Sequence, residues 1–153
     1  MDFRTKVDNQ IFGVRATALI IKDGKIFLTK DYKDRYYTIG GAIAVKETAQ
    51  DAVVREVKEE LGIDSRVNQL AFVVENQFTQ EGMDFHNIEF HFIVEPTGEM
   101  PKEMIEGKLK QACEWIELDK LVNLDVVPAF LTQELPIWNG QVKHIMNMKE
   151  KTT

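Results

Sequence analysis

Three carboxylates crowd into the run Arg55-Glu56-Val57-Lys58-Glu59-Glu60, at Glu56, Glu59 and Glu60. A helix advances about 100° per residue, which puts all three on one side and Val53, Val54, Val57 and Leu61 on a neighbouring arc that would face a core. Like charges held this close repel one another, by roughly a few tenths of a kcal/mol per exposed pair. A divalent cation turns that repulsion into a site, because Mg²⁺ prefers hard carboxylate oxygens. The triad alone fits a solvated helix face equally well. Ala49 and Ala52 are expected on the carboxylate side, where they would leave the oxygens uncovered.

The neighbours of the triad separate these two readings. Gly41 and Glu47 precede it at fixed spacings, and Gly62 follows where a helix would end. The stretch reads as a glycine, five residues, Glu, seven residues, then Arg-Glu-aliphatic-any-Glu-Glu-any-Gly-aliphatic. Gly41, Glu47, Arg55, Glu56, Val57, Glu59, Glu60, Gly62 and Ile63 fill every specified position. This is the pattern of the Nudix box, and the chain resembles a Nudix hydrolase.

The resemblance implies an enzyme that hydrolyses a nucleoside diphosphate linked to another group, by attack of water at phosphorus with Mg²⁺ or Mn²⁺ bound. Such a reaction needs the pyrophosphate charge neutralised, the water acidified and the leaving oxygen stabilised. By motif position, Glu56, Glu59 and Glu60 are the implied metal ligands, and Gly41 would add its backbone carbonyl. Arg55 would orient the carboxylates through charge-assisted hydrogen bonds, chiefly with Glu47 and Glu56. Arg55, Glu47, Glu59 and Glu60 thus form the implied catalytic set. A further base or ligand often comes from a later loop in this family. Glu106 in MPKEMIEGKLK is the candidate, with Glu103 behind it, and a solvated loop acid is the competing assignment. Glu89 and His91, on the polar face of an expected central strand, are candidates to line the substrate pocket.

Ile39 stands before Gly40-Gly41 where many family members have proline, a change that removes no ligand. The stretch Glu75-Asn76-Gln77-Phe78-Thr79-Gln80 matches none of the substrate signatures found past the box in known subfamilies. Nucleoside triphosphates, including oxidised ones, and ADP-sugars are therefore the first substrates to test. The rival from another class is a non-catalytic nucleotide-sensing module on the same fold, which loss of box glutamates would mark. None is lost. Dimers are frequent among relatives, so a homodimer is one expected assembly.

Bulk properties agree with a small-molecule enzyme. The chain has 153 residues, 44% hydrophobic and 29% charged, which suits one globular domain spanning 1–153 with a core over about 12–135. A net charge of −6 and a pI near 5.1 argue against DNA or RNA as partners, since these call for a basic face. A small phosphorylated nucleotide remains compatible, because bound cations supply positive charge locally. The lone Cys113 fits a reducing cytoplasm, and neither a signal-peptide core nor an apolar run of membrane-spanning length is present.

The elements that must position the box follow from periodicity and turn residues. Val14–Ile21 is rich in β-formers, and Asp23-Gly24 should turn it into Lys25–Lys30 as a hairpin. Tyr36–Ile39 continues as a short strand, with a sharp turn at Gly40-Gly41. Thr48 and Asp51 should cap a helix running to about Leu61. Leu70–Phe78 reads as a strand, and Ile88, Phe90, Phe92 and Val94 alternate with Asn87, Glu89, His91 and Ile93 in another. Glu114–Leu118 is a short strand, and Pro128–Leu135 a second helix. This order implies an α/β chain of the α+β type. The resemblance implies the Nudix fold, a mixed sheet between α-helices.

Overall fold

The thirteen residues Gln10–Lys22 form the strand about which the molecule is organised. The computed structural model describes residues 1–106 and 109–148. In chain order its elements are β1 (Arg4–Val7), β2 (Gln10–Lys22), β3 (Lys25–Lys30), β4 (Tyr36–Tyr37), β5 (Ile39–Ala42), α1 (Ala49–Leu61), β6 (Ser65–Gln80) and β7 (Met83–Pro96). Then come β8 (Glu103–Glu106), β9 (Leu109–Glu117), a 3-10 turn (Leu118–Asn123), β10 (Val126–Val127), α2 (Leu131–Glu134) and β11 (Lys143–Met148).

Alternation along β2 explains the layers. Ala16, Ala18 and Ile20 point to one face, where they pack with Ala52, Val53, Val57 and Leu61 of α1. Leu19 points to the other, into a second core with Ile26, Phe72, Leu121, Leu131 and Leu135. A strand covered on both faces must be apolar at nearly every position, as LII in its second half is. The sheet is mixed: β2 runs parallel to β7, while β6 and β7 form a long antiparallel hairpin. Its main path is β10-β4-β3-β2-β7-β6-β11, and β9 extends it by pairing with β3. Helix α1 covers one face, and the 3-10 turn with α2 covers the other. No described helix is long and apolar enough to cross a membrane.

The Asp23-Gly24 hairpin forms as expected, with φ of 53° and 75° at the two turn residues. Gly40-Gly41 departs from the expectation. The pair lies inside β5, antiparallel to β2, with Gly40 opposite Thr17 and Gly41 opposite Ala16. Glycine serves close approach there rather than a turn, because a Cβ on Gly40 would lie 2.9 Å from the Thr17 Cα. Ala52 is also corrected: it is fully buried in the α1 core instead of flanking the carboxylates.

The MPKEMIEGKLK stretch, expected as a loop, contributes β8 and the start of β9, paired as a hairpin. Buried Met104 anchors that hairpin in the α1 core. The second helix is shorter than expected. Leu131, Thr132 and Gln133 donate to carbonyls three residues back, and only Glu134 and Leu135 make α-type bonds. Beyond the expected 12–135 core, β1 pairs with β2 and β11 runs parallel to β6.

Candidate functional site

Helix α1 starts where the Asp51 N–H donates to Thr48 Oγ1 at 3.0 Å, and stops at Gly62 in the left-handed region at φ 73°. Its apolar arc is pinned by Val53, Val57 and Leu61, so the opposite arc must carry Arg55, Glu56 and Glu59 outward. Arg55 organises that arc. Its Nε and Nη2 donate to the two oxygens of Glu47 at 2.7 and 2.8 Å, a bidentate pair. Its Nη1 donates to Glu56 Oε1 at 2.9 Å and to Glu59 Oε2 at 3.2 Å. A last bond from Nη2 to the Ala42 carbonyl, 3.2 Å, ties the helix to β5. All five guanidinium N–H groups are thereby used.

Glu47 also accepts the Ala44 N–H at 3.0 Å. The Arg55 hydrogen bonds, reinforced by that N–H against partial burial, hold its carboxyl at a pKa of about 2. Arg55 is correspondingly raised by the Glu47 contact. Because the folded-state value lies below the ordinary 4.5, this interaction stabilises the fold fully above about pH 4.5 and is lost as pH falls through 2. The difference in Tm between the wild type and Glu47→Gln should therefore be constant from pH 7 to 5 and close between about pH 4.5 and 2. Melts showing an undiminished difference at the acid end would contradict the assignment.

The remaining box residues fall around this arginine. Glu56 is largely covered, with 14% of its side chain exposed, whereas Glu59 is 58% exposed. Glu60 is half-buried on the next position of α1. Gly41 faces Glu56 so closely that a Cβ there would lie 2.6 Å from the carboxyl carbon. The Glu56 carboxylate thus sits in a recess that only glycine leaves open.

Among the described residues no three acidic, imidazole or thiol groups converge as a finished cation cage. Arg55 Nη1, bonded to both Glu56 and Glu59, holds those oxygens. The donor set still fits Mg²⁺ or Mn²⁺: hard carboxylate oxygens on a rigid helix, beside a glycine-lined recess.

Sequence reasoning placed Glu89 and His91 at the pocket wall, and the structure buries them instead, 4% and 0% exposed. The ring of Phe130 packs edge-on against that of His91, 5.3 Å between centroids, and covers the imidazole. Burial pushes His91 down, so the imidazole is neutral, and its Nε2–H donates to Glu89 Oε1 at 2.9 Å. Burial would raise Glu89, but His91, Arg15 and Asn76 outweigh it and hold the carboxyl below its ordinary value. Glu106 ends β8 by its backbone, and its side chain lies outside the described residues. Burial pushes the Cys113 thiol up to about 11, which removes it as a nucleophile.

Two cavities meet at Phe78, and one of them reaches the box at Gly41. One of about 260 Å³ is lined by Gly40 and Gly41 together with Arg4, Arg15, Phe78 and Asn87. The next, about 330 Å³, shares Phe78 and adds Tyr37, Asn76 and Asn147. That cavity and the recesses of about 420 and 450 Å³ touch no residue of the box, although the 420 Å³ recess also borders Phe78. Sequence reasoning missed Arg4, Arg15, Tyr37, Phe78 and Asn147. Arg15 alone left a signal, a charge inside a strand otherwise apolar enough to be buried on both faces.

Comparison with known proteins gives a consistent picture. The NUDIX domain profile matches residues 12–134. An ADP-ribose pyrophosphatase from Methanocaldococcus jannaschii is 31% identical over 115 residues, covering 72% of this chain and 65% of the relative. The chain thus spans about 65% of the length of that curated relative. A MutT protein structure from Bacillus halodurans superposes with a TM-score of 0.69 at 18% identity, over 88% of this chain and 90% of that one. An ADP-ribose pyrophosphatase structure from Streptococcus suis gives 0.60 at 18% identity, over 88% and 98%. These structural likenesses establish the fold, a mixed sheet between helices.

Proposed function

The chain belongs to the Nudix hydrolase family, and from that premise we propose that it is a cation-dependent pyrophosphohydrolase acting on a small nucleoside diphosphate derivative. The observation that carries this reading is the Arg55 constellation, in which Glu47, Glu56 and Glu59 meet on one guanidinium beside Gly41. Glu56, Glu59 and Glu60, with the Gly41 carbonyl, would hold Mg²⁺ or Mn²⁺, which when bound neutralises the diphosphate and acidifies the attacking water. Arg55 holds the Glu56 and Glu59 carboxylates together through Nη1. Arg15 and Arg4, on the cavity that includes Gly41, bind and orient the phosphates. Glu106 is the proposed acceptor of the water proton, on a hairpin that Met104 docks in the α1 core.

The name of the Methanocaldococcus relative puts ADP-linked compounds first among substrates. A cytoplasmic setting, with a lone reduced cysteine, is part of the same proposal. The test is a panel of ADP-ribose, ADP-glucose, ATP and an oxidised dGTP, incubated with Mg²⁺ and read for released nucleoside monophosphate. Release from at least one compound is expected. A panel left intact would refute the reading.

A further inference from the structure

A line of hydrogen bonds runs from the solvent edge of the sheet into its core, and the reaction proposed above does not use it. Asn147 on β11 stands opposite Asn76 on β6, and its Nδ2 donates to Asn76 Oδ1 at 2.7 Å. Asn76, 6% exposed, donates from its own Nδ2 to Glu89 Oε2 at 3.0 Å. The other Glu89 oxygen takes His91 Nε2–H at 2.9 Å. Arg15 of β2, the register partner of Glu89, supplies a facing positive charge.

Each orientation in this line is forced by the one before it. A carboxylate only accepts, so Asn76 must turn its NH₂ group toward Glu89 and its carbonyl toward Asn147. Asn147 must then answer with its own NH₂ group. The outer amide, which could otherwise flip at little cost, is locked by a buried acid two side chains away. Asn147 keeps one N–H, and its Oδ1 takes part in no hydrogen bond among the described residues. Its remaining capacity is mainly that of an acceptor.

Asn147 lines the cavity of about 330 Å³ whose aromatic lining is Tyr37 and Phe78. Phe78 also borders the cavity with Gly41 and Arg15, so one ligand can lie across it with phosphates on one side and a flat ring on the other. Aromatic walls hold any base by stacking, without choosing among them. A locked amide does choose, because an acceptor beside a donor matches an amino group next to a ring nitrogen.

We propose that this cavity seats the nucleobase and that Asn147, locked through Asn76 by Glu89, selects an amino-bearing purine over its oxo counterpart. Adenine and hypoxanthine are the matched pair, differing at the group that Asn147 Oδ1 would meet. Asn147 is the specificity determinant, while Asn76 and Glu89 are positioning residues. The assignment rests on the nucleotide-hydrolase reading for its ligand class, yet it can be tested without turnover.

The experiment is calorimetric titration of the whole protein with AMP and with IMP. The wild type should bind AMP at least about tenfold more tightly, as one good bidentate pair allows. Asn147→Leu should bring the two within about threefold. Glu89→Gln, whose amide can present either end to Asn76, should also narrow the ratio. A merely structural role would weaken both ligands alike and leave their ratio unchanged. Equal binding by the wild type, no binding of either ligand, or a ratio that survives Asn147→Leu overturns the proposal. A ratio unmoved in Glu89→Gln overturns the lock. The wild-type ratio is decisive even if a variant does not fold. An AMP preference without hydrolysis of any nucleotide would sink the hydrolase reading alone. Hydrolysis with indifference to the base would sink this one alone.

Discussion

Glu60→Gln should lower kcat by at least about a thousandfold, or roughly 4 kcal/mol of transition-state stabilisation. On the proposed roles, the loss is this large because the change removes one of the charges that would hold the cation. An isosteric amide keeps the volume of Glu60 on α1 but cannot neutralise a dication, and electrostatic preorganisation is usually the largest single contribution to catalysis. Glu47→Gln should cost less. Glu47 acts through Arg55, whose bidentate grip on it at 2.7 and 2.8 Å orients the other carboxylates without contributing an implied ligand. Steady-state kinetics on both variants, with metal held saturating, makes the comparison. Equal losses at the two positions would show that their roles are ranked wrongly.

Gly41→Ala and Gly40→Ala should fail in opposite ways although they are adjacent. A methyl group on Gly41 would meet the Glu56 carboxyl, 2.6 Å from its carbon, and that group is the movable end of a side chain. The fold should yield by displacing Glu56, so the melting temperature should change little. A displacement near an ångström is enough to cost about a hundredfold in kcat. At Gly40 the obstacles are the Ala16 carbonyl and the Thr17 Cα, all backbone of β2, which has no such freedom. Gly40→Ala should separate β5 from β2 and lower the melting temperature markedly. Kinetics and thermal melts on the two variants distinguish these outcomes. A destabilised but fully active Gly41→Ala protein would contradict the recess assigned to Glu56.

The box was legible because its chemistry is local. Within one helix and the strand before it, spacing alone sets which residues can meet, and Thr48, Gly62 and the valines fix where the helix starts, stops and faces. The Arg55 contacts with Glu47 and Glu56 were implied by the resemblance to the Nudix box, and the structure shows both. The strands with strong alternation or clear turns were legible because those signals too are local. What stayed hidden depends on pairing between distant segments. The β11 strand, KHIMNM, has one buried residue, Ile145, and a single apolar contact carries no period. β10 is only two residues long and becomes a strand through its pairing with β4, a segment ninety residues away in the chain. Gly40-Gly41 shows the limit at residue level, since a glycine pair signals a turn and a close strand contact equally well. Glu89 and His91 read as a polar face, but polarity does not say whether water or protein covers it.

The claim on which the rest depends is that the carboxylate face of α1 holds the catalytic cation. Titrating the protein with Mn²⁺, and reading free ion by electron paramagnetic resonance, measures it without any choice of substrate. The wild type should show saturable binding, and the Glu56→Gln/Glu59→Gln/Glu60→Gln variant should bind at least about tenfold more weakly while folding normally, a loss of roughly 1.4 kcal/mol or more. Binding of equal affinity in both proteins would place the cation elsewhere and contradict the account.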